Sequence, residues 1–223
     1  NDGDYVGALE MFRAAYSRTL GRPTFGGGSV RALVKGGWGF TTFNQVEDLR
    51  ARVQLAVEQA RLVGHEETHL AETEPVVDVV EPYVVRDPFT VPLSRKKDLL
   101  DSYNDLIMST PGIQTSQVAY RDLRRRVTFA TSHGAYIEQG KVDVTARFTA
   151  IARKDGDVQQ ASLSTGRLGD YSFLEGLREE IKDVAQRAVA LLTAANVRAG
   201  EYPVVLDPIL AGVFAHEAFG HLS

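Results

Sequence analysis

The chain contains no cysteine. That excludes a disulfide framework, a thiolate nucleophile and a thiolate metal ligand within it, and leaves the compartment open. No run of about eighteen or more apolar residues occurs, so no membrane-spanning helix is expected. Positive charge is not in excess, with 25 Lys and Arg against 29 Asp and Glu for a net −4, so nothing overall recommends a polyanionic partner. The start, NDGDYVGALEM, lacks the basic residues and apolar centre of a signal peptide. It also lacks an initiating Met, which suggests that residues precede it, and a cytoplasmic protein is the default reading. Histidine is scarce at five residues, so the positions of those five matter.

What is present is ordinary for a soluble fold. The 223 residues are 43% apolar and 24% charged, enough for one large or two small domains with their own cores. Tyr5 to Leu20 leans toward helix on its spacing, with a strand as the other reading. Phe25 to Phe43 (FGGGSVRALVKGGWGFTTF) alternates and then turns at Lys35-Gly36-Gly37, which predicts a β-hairpin. The Gly26-Gly27-Gly28 run lacks the Gly-Lys-Ser/Thr ending of a phosphate loop, so close packing is the expected use of those glycines. Asn44 is placed to cap a helix from Gln45 to Val63 with Val46, Leu49, Val53, Ala56, Val57, Ala60 and Val63 on one stripe, and Gly64 stops it.

Four prolines between Glu74 and Leu93 predict an extended connector. Ser94 is expected to cap a helix from Arg95 to Ser109 carrying Leu99, Leu100, Tyr103, Leu106 and Ile107. From Ile113 to Thr165 the period changes to two. This predicts a meander of about five strands, at Gln114–Asp122, Arg126–Thr131, Ala135–Gln139, Lys141–Arg153 and Val158–Ser164. Val142 to Ala152 at even positions should be buried, with Asp143, Thr145, Arg147 and Thr149 facing away. Arg124-Arg125-Arg126 reads as a solvated turn, because no aromatic platform or basic helix accompanies it to suggest nucleic acid. Phe173 to Ala195 reads as a long amphipathic helix, and Tyr202 to Leu206 (YPVVL) as a short buried strand. The expected fold class is α+β, an antiparallel or mixed sheet packed with several amphipathic helices and truncated before a C-terminal domain. The expected divisions are an α+β subdomain at 1–90, a sheet-plus-helix subdomain at 91–200, and the start of a further domain at 201–223.

The chemistry is concentrated in Asp207 to Ser223 (DPILAGVFAHEAFGHLS). Asp207-Pro208 supplies an N-cap and a first-turn proline, and Ile209, Leu210, Val213 and Phe214 are expected to anchor the helix in a core. His216, Glu217 and His221 follow. Two imidazoles and a carboxylate this close suggest a zinc ion with a base for activating water. In a regular α-helix residues four apart diverge by roughly 40°, but residues five apart by roughly 140°. H-E-x-x-x-H therefore needs either a π-bulge or an end to the helix between the histidines, and Gly220 is placed to permit the latter. Glu217, adjacent to His216, suits the role of base better than that of ligand. Two histidines leave a catalytic zinc short of a protein ligand, for which His133, in a predicted turn, is a weak candidate. His65-Glu66-Glu67-Thr68-His69 also matches H-E-x-x-H, but it follows a helix-stopping glycine among acidic residues and reads as a solvated connector.

VVLDPILAGVFAHEAFGHLS closely resembles the signature segment of the TldD/PmbA family of zinc metalloproteases, of the catalytic TldD type. GGGSVRALVKGGWGF is similar to that family's hairpin, and the likeness extends through the helix at Gln45 and the strands around ATSHGAYIEQ. The resemblance implies His216 and His221 as Zn2+ ligands, Glu217 as catalytic base, and a third ligand from a cysteine in a C-terminal domain. His65 and His69 match no functional position of the family. The resemblance also implies hydrolysis of peptides or unfolded segments, by a homodimer or a heterodimer with a TldE/PmbA-type subunit. No nucleic acid or membrane partner is expected. The alternative is a noncatalytic interaction subunit of such a two-component complex. By itself the 223-residue stretch is expected to show little hydrolysis and weak metal affinity.

Overall fold

A computed structural model of the protein describes residues 26–66, Thr68 and residues 70–221. The helix or strand expected at Tyr5–Leu20 lies outside them. The chain divides into two compact units, Asn1–Leu192 and Thr193–Ser223.

The first unit begins with the hairpin. Strand β1 (Gly28–Val34) pairs antiparallel with β2 (Gly37–Phe43). The loop is Lys35-Gly36, both left-handed with φ of 46° and 78°, the geometry whose twist suits a two-residue hairpin. Gly37, Gly39, Thr41 and Phe43 face inward on β2, leaving Trp38 and Phe40 outward. Helix α1 (Leu49–Val63) lies directly on that inner face. A Cβ at Gly39 would stand 1.8 Å from the Ala56 carbonyl oxygen, so only glycine lets helix and strand approach this closely. Phe43, Val46 and Leu49 form a small core with Val30 and Val53 beside it. The expected cap is absent. Val46–Asp48 forms a 3-10 turn before α1, and neither Gln45 nor Asp48 caps with its side chain.

Strand β3 (Val77–Val80) corrects the purely connecting role expected for this stretch. It pairs in parallel with the start of β5 (Tyr136–Lys154). It occupies an edge, between Pro75 and Pro82, where missing backbone donors cost nothing. Helix α2 (Leu93–Met108) starts before Ser94, with Pro92 at the N-cap and no side-chain cap.

The meander has three long strands, not five. β4 (Ile113–Ala130) pairs antiparallel with β5, and β5 pairs antiparallel with β6 (Asp157–Leu168). Arg124-Arg125-Arg126 is therefore strand and not turn. Each arginine has a distant acid: Arg124 meets Asp87, Arg125 meets Asp143, and Arg126 meets Glu81 and Glu138. Gly140, expected between strands, lies inside β5, where a Cβ would meet Pro82 Cδ at 2.6 Å. The turn at Ser132-His133-Gly134 is as expected, and the one expected at Lys154-Asp155-Gly156 is confined to Asp155-Gly156 because β5 runs through Lys154, with positive φ at Gly134, Asp155 and Gly156.

The main core lies between this sheet and two helices. Val142, Val144, Ala146, Phe148, Ala150 and Ala152 are at most 4% exposed, as the alternation requires. Against Val144 to Ala152 pack Tyr103 and Ile107 of α2, and Ile181, Val184, Ala185 and Ala188 of α3 (Arg178–Leu191). The ring of Phe148 meets that of Tyr103 edge-on at 5.6 Å, and the Tyr103 hydroxyl donates to the Leu174 carbonyl. The helix expected from Phe173 is a 3-10 turn (Ser172–Gly176), a break at Leu177, and then α3. No helix among the described residues is long and apolar enough to cross a membrane.

The second unit contains helix α4 (Pro208–Ala215) followed by a π-helical turn (His216–Gly220). Two expectations fail here. Tyr202–Leu206 is neither strand nor buried, with Val204 and Val205 at 73% and 100% exposure. Ile209, Leu210, Val213 and Phe214 are 50–81% exposed. A single short helix has no second apolar surface within its own unit to bury against.

Candidate metal centre

Asp207 fixes where α4 begins. Its carboxylate accepts from the Leu210 backbone N–H at 2.8 Å, and Pro208 takes the first helical position, where a missing donor is harmless. Seven residues of ordinary helix then carry the chain to Ala215. The helix widens at His216–Gly220 into a π turn, and His221 closes it at φ −107°, ψ −18°.

The wider turn offsets the roughly 140° divergence expected for residues five apart. His216 Nε2 and His221 Nε2 lie 2.8 Å apart, with rings nearly perpendicular at 4.5 Å between centroids. Gly220 keeps an ordinary negative φ and lies beneath the His216 ring, where a Cβ would stand 3.5 Å from Nδ1. The spacing is therefore accommodated by the π turn and not by a left-handed break at Gly220.

One ligand atom from each of His216, Glu217 and His221 falls within 4.8 Å of the others, and all three side chains are exposed. Among the described residues this is the one cluster of three or more His, Cys, Asp or Glu able to hold a metal ion. His133, in the turn after β4, is not part of it, and neither is His65, which follows α1 outside any helix. His69 is outside the described residues.

A second polar cluster was not anticipated. Lys96, on α2, is buried and reaches Asp122 of β4, which also accepts from the Tyr120 hydroxyl at 2.8 Å. Burial, and then the bond to Asp122, push the Tyr120 hydroxyl well above its usual pKa. The signal was legible, since Lys96 stands one turn before Leu99 and Leu100 and two before Tyr103 on the apolar stripe. Its polar groups satisfy one another, so it supports the fold.

Residues 86–195 match the model of the PmbA/TldA metallopeptidase central domain, and residues 18–61 match PmbA/TldA metallopeptidase domain 1. The chain belongs to the PmbA/TldD family. A relative from Synechocystis sp. named a metalloprotease is 44% identical over 219 residues, covering 97% of this chain and 47% of that protein. A Methanocaldococcus jannaschii metalloprotease is 31% identical over 206 residues, covering 89% of this chain and 45% of that protein. A solved Bacteroides thetaiotaomicron structure, described as a modulator of DNA gyrase, shares the fold with a TM-score of 0.64 at 15% identity, over 86% of this chain and 45% of that one. This PmbA/TldD chain thus spans about half the length of the curated relatives it matches.

Proposed function

We propose that the protein is a zinc-dependent peptidase of TldD type, with His216 and His221 as metal ligands and Glu217 as catalytic base. The observation that carries this is the π turn, which brings two imidazole nitrogens to 2.8 Å with a carboxylate beside them. The metalloprotease names of the relatives support the metal and the peptidase activity.

The donor set fits the ion. Two nitrogens bound tetrahedrally at the usual zinc distance lie about 3.3 Å apart. The separation here is shorter by about half an ångström, which a small rotation of either ring makes up. When bound, zinc supplies a Lewis acid for a peptide carbonyl and eases deprotonation of water. His216 and His221 would hold it through their Nε2 atoms. Glu217 sits one residue from His216 and shares its exposure, so its carboxylate is open to water. It takes a proton from the attacking water and returns it to the departing amine, a role usually worth about 10²- to 10⁴-fold. A third ligand is still required, and the family resemblance assigns it to a cysteine, which this chain lacks.

The substrates proposed are peptides or unfolded segments. The protein acts as a homodimer or with a TldE/PmbA-type subunit, in the cytoplasm. The exposure of Ile209, Phe214 and Phe219 supports a covering partner or segment at α4. Metal analysis of the complete protein tests the ligands. His216→Ala and His221→Ala should each abolish stoichiometric zinc, and full zinc retention in either would remove that residue from the set.

A further inference from the structure

Among the described residues, the face of the central sheet turned away from α2 and α3 carries an excess of positive charge that the proposed cleavage does not use. Cross-strand pairing places Arg121 beside Thr145, and Arg147 between Ala119 and Ser164. Both arginines therefore point away from the core face of Val144, Ala146 and Phe148, and both are exposed. Among the described residues neither has a carboxylate partner, unlike the three consecutive arginines further along β4. The same face of β5 adds Lys141 and Arg153, while its acid, Asp143, is already bound to Arg125. Five cations (Arg121, Arg125, Lys141, Arg147, Arg153) thus face one acid, on a protein whose net charge is −4. Between the two free guanidiniums the floor is small and hydroxylic. Ala119, Thr145, Ser164 and Gly166 leave an open trough of about 430 Å³.

We propose that this trough is a docking site for an extended acidic polypeptide, whose carboxylates seat on Arg121 and Arg147. The spacing supports a strand-like ligand. Arg121 and Arg147 are diagonal neighbours, about 7–8 Å apart at their backbones. Alternate side chains of an extended peptide recur about every 6.7 Å on one face. Acidic residues two apart therefore meet the two arginines in register, each offered a planar fork that binds carboxylate bidentately. Thr145 and Ser164 add hydroxyls that can donate to the peptide between them. Nucleic acid fits less well, because the one aromatic residue among those lining the trough, Tyr120, turns its ring to Asp122 and Tyr171 on the other face and offers no base a stacking surface. The proposal rests on the peptidase reading and sharpens it, naming extended acidic segments as the substrate class that the protein retains.

The test uses the complete protein carrying Glu217→Gln, so that binding is read without cleavage. The probes are a fluorescein-labelled peptide of alternating Glu and Thr, its Gln-Thr counterpart, and a thymidine homopolymer, compared by anisotropy at low salt. The Glu-Thr peptide should bind on the order of tenfold more tightly than the Gln-Thr peptide, and Arg121→Gln/Arg147→Gln should erase that difference. Arg178→Gln on α3, also exposed, should leave it unchanged. Equal binding of the two peptides overturns the proposal, as does an acidic-peptide affinity untouched by the double variant. Tighter, arginine-dependent binding of the thymidine homopolymer overturns the polypeptide occupant. Absent cleavage by the native protein, with charge-dependent binding intact in Glu217→Gln, counts against the peptidase reading alone, and the converse counts against this proposal alone.

Discussion

Removing the acid from the buried Lys96–Asp122 pair should destabilise the protein by about 3 kcal/mol. The side chains of the pair are only 10% and 19% exposed, so most of the cost of desolvating the lysine is already incurred. Deleting one member of a buried pair usually costs about 3–5 kcal/mol, because the other charge is left uncompensated. Two effects moderate that here. Lys96 retains the faces of Tyr120 at 5.2 Å and Phe89 at 6.0 Å, contacts worth about 0.5–2 kcal/mol. The residual exposure of the ammonium also admits water. Asp122→Ala should therefore cost near the lower end of the range. With a urea m-value of about 2–3 kcal/mol/M, the midpoint should fall by about 1 M at unchanged m. Lys96→Met with Asp122→Leu should recover to within about 1 kcal/mol of the native protein, since apolar replacements of similar volume carry no stranded charge. A shift of less than about 0.3 M for Asp122→Ala would refute the reasoning. A double variant as unstable as the single one would assign the loss to packing instead.

Other expectations follow from the same geometry. Gly39→Ala forces a Cβ to 1.8 Å from the Ala56 carbonyl and should cost about 3 kcal/mol in urea unfolding. Gly176→Ala, where a Cβ meets nothing within 4 Å, should stay within about 0.5 kcal/mol. Arg126→Ala withdraws the guanidinium from Glu138, whose side chain is 4% exposed, and should cost about 2 kcal/mol. Arg125→Ala breaks an exposed pair with Asp143 and should cost under about 1 kcal/mol. Tyr103, Tyr120 and Tyr171 all have hydroxyls pushed above the usual pKa, with burial the leading cause. Above about pH 10 the unfolded state loses these protons first, so it binds fewer than the folded state and stability falls with rising pH. Thermal unfolding between about pH 8 and 11 should show that fall, and Tyr120→Phe should shallow it. A slope unchanged by Tyr120→Phe would dissociate Tyr120 from the effect.

Much of the fold was legible wherever one local rule decided the outcome. The Lys35-Gly36 turn, the even-numbered core face of β5 and the Asp207-Pro208 start of α4 each rest on turn chemistry, period or capping within a few residues. The misreadings occurred where partners lie far away in sequence. Arg124-Arg125-Arg126 read as a solvated turn between two strands, yet it is strand, and its acids come from Glu81, Asp87, Glu138 and Asp143. Gly140 read as a strand break, but it makes room for Pro82. The caps expected at Asn44 and Ser94 fail because the chain enters those helices through a 3-10 turn and a proline. Tyr202–Leu206 has strand composition, but composition supplies no pairing partner. In the candidate site, spacing alone required a distortion of the helix without choosing between two forms, and the π turn is the one found.

The central claim is that Glu217 acts on water while His216 and His221 hold the metal. The direct measurement is zinc content and peptide cleavage of Glu217→Ala in the complete protein, made side by side with the native form. The account predicts stoichiometric zinc retained and cleavage reduced by about 10²- to 10⁴-fold. Cleavage at the native rate, or loss of the metal with the carboxylate, would contradict it.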